Sequence, residues 1–344
     1  MRFIAIHVVP KKDGFSMPRP TLRALVRDGL GRMERRLKGK PSRDRSRIGR
    51  RQIHRGAAAN DVLARSASSL LPLAVSRLGT TENAVVKYYV EHEVDGQCAF
   101  PENLSRAIKE LSGFFPLDNE LLSQFSRETL EHLGEIDVMA VRSEKREHAY
   151  WGFEDFFIKR FARESTLIDL NALVPLGNPL SWTKELKGKK VLVIHPFART
   201  VTRQFKKRHE LFDIRDFLPD CELDVVPAVQ SVGDNSSQTG FATWFDALDS
   251  MKKEIARRDF DVALIGAGAY GLFLAAECKR LGKVGIHIGG ATQLLFGILG
   301  RRWMDPSSPD SSSVLPFINE HWTGPAKAEI PAGASKVEGG CYWV

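Results

Sequence analysis

The chain has 344 residues, 43% of them apolar, and a formal net charge of +8. That is enough material for one large or two modest globular units. No stretch approaches 18 uninterrupted apolar residues, so no transmembrane helix is expected. The four cysteines, Cys98, Cys221, Cys278 and Cys341, form no CxxC pair, which argues against a zinc site or a disulfide scaffold. The opening MRFIAIHVVPKKDG has too short an apolar run and the wrong charge order for a secretory signal, and a cytoplasmic location is expected.

The charge is unevenly spread. Residues 1–60 hold 17 Lys and Arg against 4 Asp and Glu, a net of +13, so the other 284 residues sum to −5. This describes a basic arm on a mildly acidic body, not a nucleic-acid-binding fold, and no nucleic-acid partner is expected. Leu22, Leu25, Leu30, Met33 and Leu37 suggest one side of a helix that Gly29, Gly31, Gly39 and Pro41 break. The plain expectation for 1–60 is a solvated, partly disordered arm. The sharper one is that residues 19–55 sit on an anionic membrane surface, each cation adding roughly 1 kcal/mol.

The body is expected from residue 61, with a helical part at 61–180, an alternating part at 181–304 and a tail at 305–344. DVLARSASSLLPLAVSRLG predicts a helix and then a short strand. TTENAVVKYYVEHEV predicts a helix, with Ala84, Val85, Tyr88 and Tyr89 near helical spacing. The stretch from Pro101 to Ile136 predicts two or three helices broken at Gly113 and Pro116. DVMAVRS and ARESTLIDLNALVP each hold a strand candidate, and SWTKELKGKK ends a helix. From there the pattern alternates. VLVIHPF, CELDVVPAVQS, DFDVALIG and KVGIHIGG read as strands, and ARTVTRQFKKRHELF, TGFATWFDALDSMKKEIARR, LFLAAECKRLG and ATQLLFGILG as helices. Alternation of this kind gives an α/β fold with a mainly parallel sheet, with 80–135 as one wall of a cleft. The tail, rich in Pro, Ser and Gly, predicts coil with an apolar piece docked on the body.

Ligands in such sheets sit beyond the carboxyl ends of the strands. The candidates there are His195, Gln230 and Ser231, the run Gly266 to Gly271, and Gly289, Gly290 and Gln293. Gly266-Ala267-Gly268-Ala269-Tyr270-Gly271 follows a strand and opens a helix, the context a dinucleotide fingerprint needs. That fingerprint also wants an acid at the end of the next strand, and this strand ends His287-Ile288-Gly289-Gly290. NAD and S-adenosylmethionine are therefore the weaker ligands. Two glycine-ended strands would instead open two helix N-termini onto one crevice, a seat for a diphosphate. The same glycines also serve tight turns and close packing. His195 is a candidate base or phosphate ligand, or a structural histidine. Arg199 and Thr200 start a helix from which they would reach a diphosphate, and Tyr270 would stack on a base or pack in the core.

Several of these segments carry a resemblance. KKVLVIHPF (Lys189–Phe197), AVQS (Ala228–Ser231), IGAGAYG (Ile265–Gly271), HIGGATQLLFGI (His287–Ile298), Trp244 within FATWFDALDSM, and GRRW (Gly300–Trp303) resemble a group of bacterial capsule and surface-polysaccharide proteins over about residues 74–304. That group resembles the GT-D type glycosyltransferases, a Rossmann-like class that moves a sugar from a nucleotide donor. The resemblance implies an early R-x-G-D-G-E motif, in which an Asp and a Glu serve metal and diphosphate. Here Arg77, Gly79 and Glu82 match it and Thr80 replaces the Asp, leaving one carboxylate for Mn²⁺ or Mg²⁺. It further implies a nucleotide-sugar donor, a polysaccharide or lipid-linked acceptor, and Glu82 as catalytic or metal residue; the basic arm would keep such an enzyme at the inner membrane face. The rival readings are a Rossmann-type NAD or S-adenosylmethionine enzyme and a non-catalytic scaffold of polysaccharide assembly, which the Thr80 substitution favours.

Overall fold

The computed structural model describes residues 44–233, 235–308 and 310–344. Most of the basic stretch, and with it most of the proposed membrane contact at 19–55, lies outside these residues.

Nine strands form one sheet: β1 (Arg47–Ile48), β2 (Arg51–His54), β3 (Leu73–Arg77), β4 (Val138–Val141), β5 (Thr166–Asp169), β6 (Lys190–His195), β7 (Glu222–Pro227), β8 (Val262–Ile265) and β9 (Val284–His287). Their order is β1-β2-β5-β4-β3-β9-β8-β6-β7. Only the edge pair β1–β2 is antiparallel. Every other neighbour is parallel, with Val75 opposite both Val138 and Ile286, and Val193 opposite both Val225 and Leu264. The central strands read VMAV, VALI and VGIH and are buried at every residue, as parallel strands covered on both faces must be. The chain is thus an α/β, Rossmann-like protein with a mainly parallel sheet and flanking helices.

The sheet is wider than the alternation after residue 181 implies. β3, β4 and β5 lie in the stretch read as mainly helical, and one continuous sheet joins it to the later half. The residues 44–60, read as the end of an arm, supply β1, β2 and the start of the helix Gly56–Ala67. Arg45 and Arg51 are tied down by helix carboxylates and backbone carbonyls, so part of the basic stretch is structural.

Local signals fix the helices. Asp118 accepts the Leu121 N–H at 2.9 Å to start Asn119–Leu133, and Thr243 with Asp246 forms a capping box on Trp244–Ala256. Gly113, at φ 74°, ends Glu102–Ser112. Phe114, Phe125, Trp244, Tyr270 and Phe273 interlock these helices, with ring centroids 4.5–5.8 Å apart in the contacting pairs.

Three expectations fail locally. The helix read in 198–212 stops at Phe205, where Lys206, Lys207 and Arg208 bring like charges together. ATQLLFGILG is a 3₁₀ stretch, Gly290–Phe296, closed by left-handed Gly297. SWTKELKGKK is likewise a single 3₁₀ piece, Trp182–Leu186. The helix His148–Arg160 carries no apolar period clean enough to have announced it.

Candidate functional site

Because β2 to β9 run parallel, their carboxyl ends meet along one edge. There they line a cleft of about 1170 Å³. Arg77, Arg142, Asp169, His195, Gln230, the Gly266–Tyr270 turn and the Gly289–Gly290 turn all reach it, and so does the start of the helix Thr80–His92.

Arg77 ends β3. Its Nε is buried without a hydrogen-bond partner, and Nη2 reaches only the Leu78 carbonyl, at 3.4 Å. Desolvation, then the neighbouring Arg142, hold its pKa below the usual arginine value. No ion pair to Arg77 is present among the described residues. An arginine does not give up its charge in a protein, so this half-buried head is a cation with no ion pair among the described residues. Arg142, by contrast, is satisfied. Its Nη1 meets Glu154 at 3.1 Å, its Nη2 meets Thr80 Oγ1 at 3.2 Å, and Arg45 shares the same buried Glu154 carboxylate.

Gly79 is the N-cap of the helix Thr80–His92, and Glu82 folds back over it. A Cβ on Gly79 would fall 2.0 Å from Glu82 Oε2, so the glycine leaves room for this carboxylate to lie over the helix start. Glu82 makes no hydrogen bond among the described residues. It faces the cleft close to Arg77 and Tyr342.

The two glycine turns differ. In the first, Gly266 and Gly271 make room for histidines: a Cβ would meet His195 Cδ2 at 2.5 Å or His287 Nε2 at 2.2 Å. Gly268, at φ 52°, faces open space. Tyr270 is no free platform for a base. It stacks on Trp244 at 4.5 Å and 4°, and its hydroxyl meets Ser231 Oγ at 3.2 Å. Ser231 in turn donates to the Gly113 carbonyl, so both residues tie loops together. Gln230 does line the cleft with its side chain free of hydrogen bonds among the described residues.

The second turn, Gly289 at φ 84° and Gly290, is flanked by Arg77 and by Tyr342 of the tail. Gln293 is buried at the cleft and spends its amide N–H groups on the carbonyls of Ile298, Leu299 and Tyr342 at 3.1–3.3 Å, so it anchors the tail.

His195 is buried at the end of β6. Its Nδ1 accepts the Phe197 N–H at 3.0 Å, and burial lowers its pKa to about 3. The ring is therefore neutral, with the proton on Nε2: a donor, where the sequence suggested a base. His287 is equally buried and neutral, its pKa also lowered to about 3, with Nδ1 on Ser76 Oγ at 3.0 Å.

Arg199 and Thr200 lie outside the cleft. The N–H groups of both are taken by Glu329, at 2.7 and 3.3 Å, and the Thr200 hydroxyl also donates to it. The protein fills this helix N-terminus with its own carboxylate. Arg199 points to an exposed surface shared with Arg203 and Lys206.

Sequence reasoning missed four further carboxylates that line the cleft: Glu144, Glu147, Asp169 and Asp310. Burial raises the Glu147 pKa to about 7 against the pull of Arg142. Extending the strand-end rule to β4 and β5 finds Arg142 and Asp169. No local signal points to Tyr342. Among the described residues, no group of three or more His, Cys, Asp or Glu is arranged to hold a metal.

No family model matches the chain, and no curated protein does. Among solved structures it is similar to "A New Glycosyltransferase (DUF1792) from Streptococcus sanguinis", with 13% identity over 70% of this chain and 82% of that one, at a TM-score of 0.38. A superposition this loose transfers no residue role.

Proposed function

We propose that the protein is a glycosyltransferase that moves a sugar from a nucleoside-diphosphate donor to a hydroxyl of a surface-polysaccharide or lipid-linked acceptor. The observation that carries this is Arg77: a guanidinium without a counter-ion at the strand ends, between a glycine turn and a helix N-terminus. A diphosphate supplies the missing charge and accepts bidentate hydrogen bonds. The resemblance of the sequence to surface-polysaccharide proteins supports the choice of a sugar as the transferred group.

In this reading the acceptor oxygen attacks the anomeric carbon and its proton passes to a cleft carboxylate, Glu82 or Glu147. The bond from the anomeric carbon to the phosphate oxygen breaks, and the electron pair leaves with the diphosphate. Arg77 and the helix terminus at Thr80 stabilise that departing charge, with the His195 Nε2–H as a further donor. Glu82 could give a divalent cation one ligand, but no group of three or more His, Cys, Asp or Glu among the described residues is arranged to hold a metal, so no step is routed through one. No helix of the described residues is long and apolar enough to cross a membrane. Contact with the inner membrane face through residues 19–55 remains part of this proposal.

The test is thermal stabilisation and calorimetry with UDP, GDP, CMP, UDP-sugars, NAD and S-adenosylmethionine, with and without Mn²⁺. A nucleoside diphosphate at 100 times its dissociation constant adds about 2.7 kcal/mol. Arg77→Ala is expected to lose that binding by about tenfold to a hundredfold with little change in the stability of the fold, since the half-buried head has no ion pair among the described residues to lose. Binding of NAD or S-adenosylmethionine alone would make the protein the rival enzyme. A silent panel would leave the scaffold reading.

A further inference from the structure

The Gly289–Gly290 turn is bracketed by two side chains from opposite ends of the chain. A Cβ on Gly289 would lie 2.7 Å from Arg77 Nη1. One on Gly290 would lie 2.2 Å from Tyr342 Cε1 and 3.0 Å from its hydroxyl oxygen. The two glycines thus make adjacent room for a guanidinium and a phenol. The charged side chains acting on the phenol are Arg302, Arg77 and Glu82, and all of them line the cleft.

The position of Tyr342 is built, not incidental. Gln293 Nε2 donates to its carbonyl at 3.3 Å. The backbone N–H groups of Arg301 and Arg302 hold the carbonyls of Trp343 and Cys341 at 3.2 and 3.1 Å. The Arg302 guanidinium stands 5.2 Å over the ring, and Trp343 meets it edge-on at 5.9 Å. Arg302 is itself neutralised by Glu338, so it does not compete for an anion as Arg77 does.

We infer that Tyr342 is a ligand-binding residue: its phenolic O–H donates to the same phosphate group that Arg77 holds, and the segment 337–343 completes the anion seat. Burial keeps the phenol protonated well into the alkaline range, so it stays a donor. The inference rests on the proposed function only in taking the ligand to be a phosphate-bearing anion.

Inorganic pyrophosphate is the probe, with calorimetry on the full chain. Tyr342→Phe removes the hydroxyl and keeps the ring packed on Gly290. It is expected to weaken pyrophosphate binding about tenfold, with the melting temperature unchanged. Tyr342→Ala, which also removes the wall, is expected to weaken it further. Wild-type affinity in Tyr342→Phe overturns the assignment of Tyr342 and leaves the proposed function standing. Absence of pyrophosphate binding by the folded wild type, with no response to any nucleoside diphosphate, overturns both.

Discussion

The two halves of the crevice are built from the same kind of sequence and end in opposite states. On the β6–β8 side the protein satisfies itself. Glu329 fills the helix terminus at Ala198, Tyr270 and Ser231 close on Trp244 and Gly113, and Gly266 and Gly271 seat histidine rings. On the β3–β9 side the polar groups are left over. Arg77 has no counter-ion among the described residues, Glu82 has no hydrogen bond there, and Tyr342 leans over a turn that only glycine can make. Glycines after a strand thus mark either a packing contact or an opening. The difference is set by which side chains approach from elsewhere.

That contrast can be broken by asking where substitutions act. On the sealed side, the His195 donor apart, they are expected to cost stability and spare anion binding. Gly271→Ala drives a Cβ into the buried His287 ring and is expected to cost about 2–3 kcal/mol in chemical denaturation. Gly268→Ala meets open space and pays only for its left-handed backbone, about 1 kcal/mol. If both cost the same, the packing role of Gly271 is wrong. Glu329→Ala strips a buried partner from two backbone N–H groups and the Thr200 hydroxyl, and is expected to destabilise by about 1–2 kcal/mol with pyrophosphate affinity unchanged. Lost affinity there would mean that the sealed side takes part in binding. The smallest effect sharpens the open side. The Glu147 carboxyl has a folded pKa of about 7 against an ordinary 4.5, so the folded state holds its proton more tightly. Its contribution to stability is present below about pH 4.5 and is lost as pH rises through 7. Glu147→Gln is therefore expected to gain stability over wild type at pH 8 and to match it at pH 4.5. Residual solvent contact damps the difference. A pH-independent gap between the two proteins would show that Glu147 does not titrate in this range.

The later strands were legible because VLVI, VALI and VGIH are buried on both faces and separated by helices of ordinary length. Their carboxyl ends located the cleft, and Arg77, Gly79 and Glu82 do line it. The roles of individual residues were less legible. Thr200, Gln293, Ser231 and Tyr270 sit where a ligand residue should, yet their hydrogen bonds go to Glu329, the tail and Gly113. Apart from the Ile298 and Leu299 carbonyls that Gln293 also reaches, the side-chain bonds of these four residues span 39 to 129 positions, beyond the reach of any local pattern. β1 and β2 were hidden because their Arg-rich composition reads as solvated arm. Arg45, just before β1, is in fact held by Glu154 and Asp155, and Arg51 of β2 by the carbonyls of Ile158 and Ala162. Tyr342 was hidden because a Gly-rich tail gives no period to read.

One feature of the sheet also governs how the site comes into being. β3 and β9 lie side by side, but the residues that join them, Ser76 and His287, are 211 positions apart. Closing so long a loop costs entropy that is recovered only once both flanking half-sheets exist. Loop-closure entropy thus disfavours early formation of the pairing that brings Arg77 to Gly289. Until it occurs, each half-sheet presents an apolar, unpaired central strand, the kind of edge on which chains associate with one another. The groups proposed to bind the donor therefore meet at the seam between the two half-sheets, so the site exists only once that long-range pairing has closed.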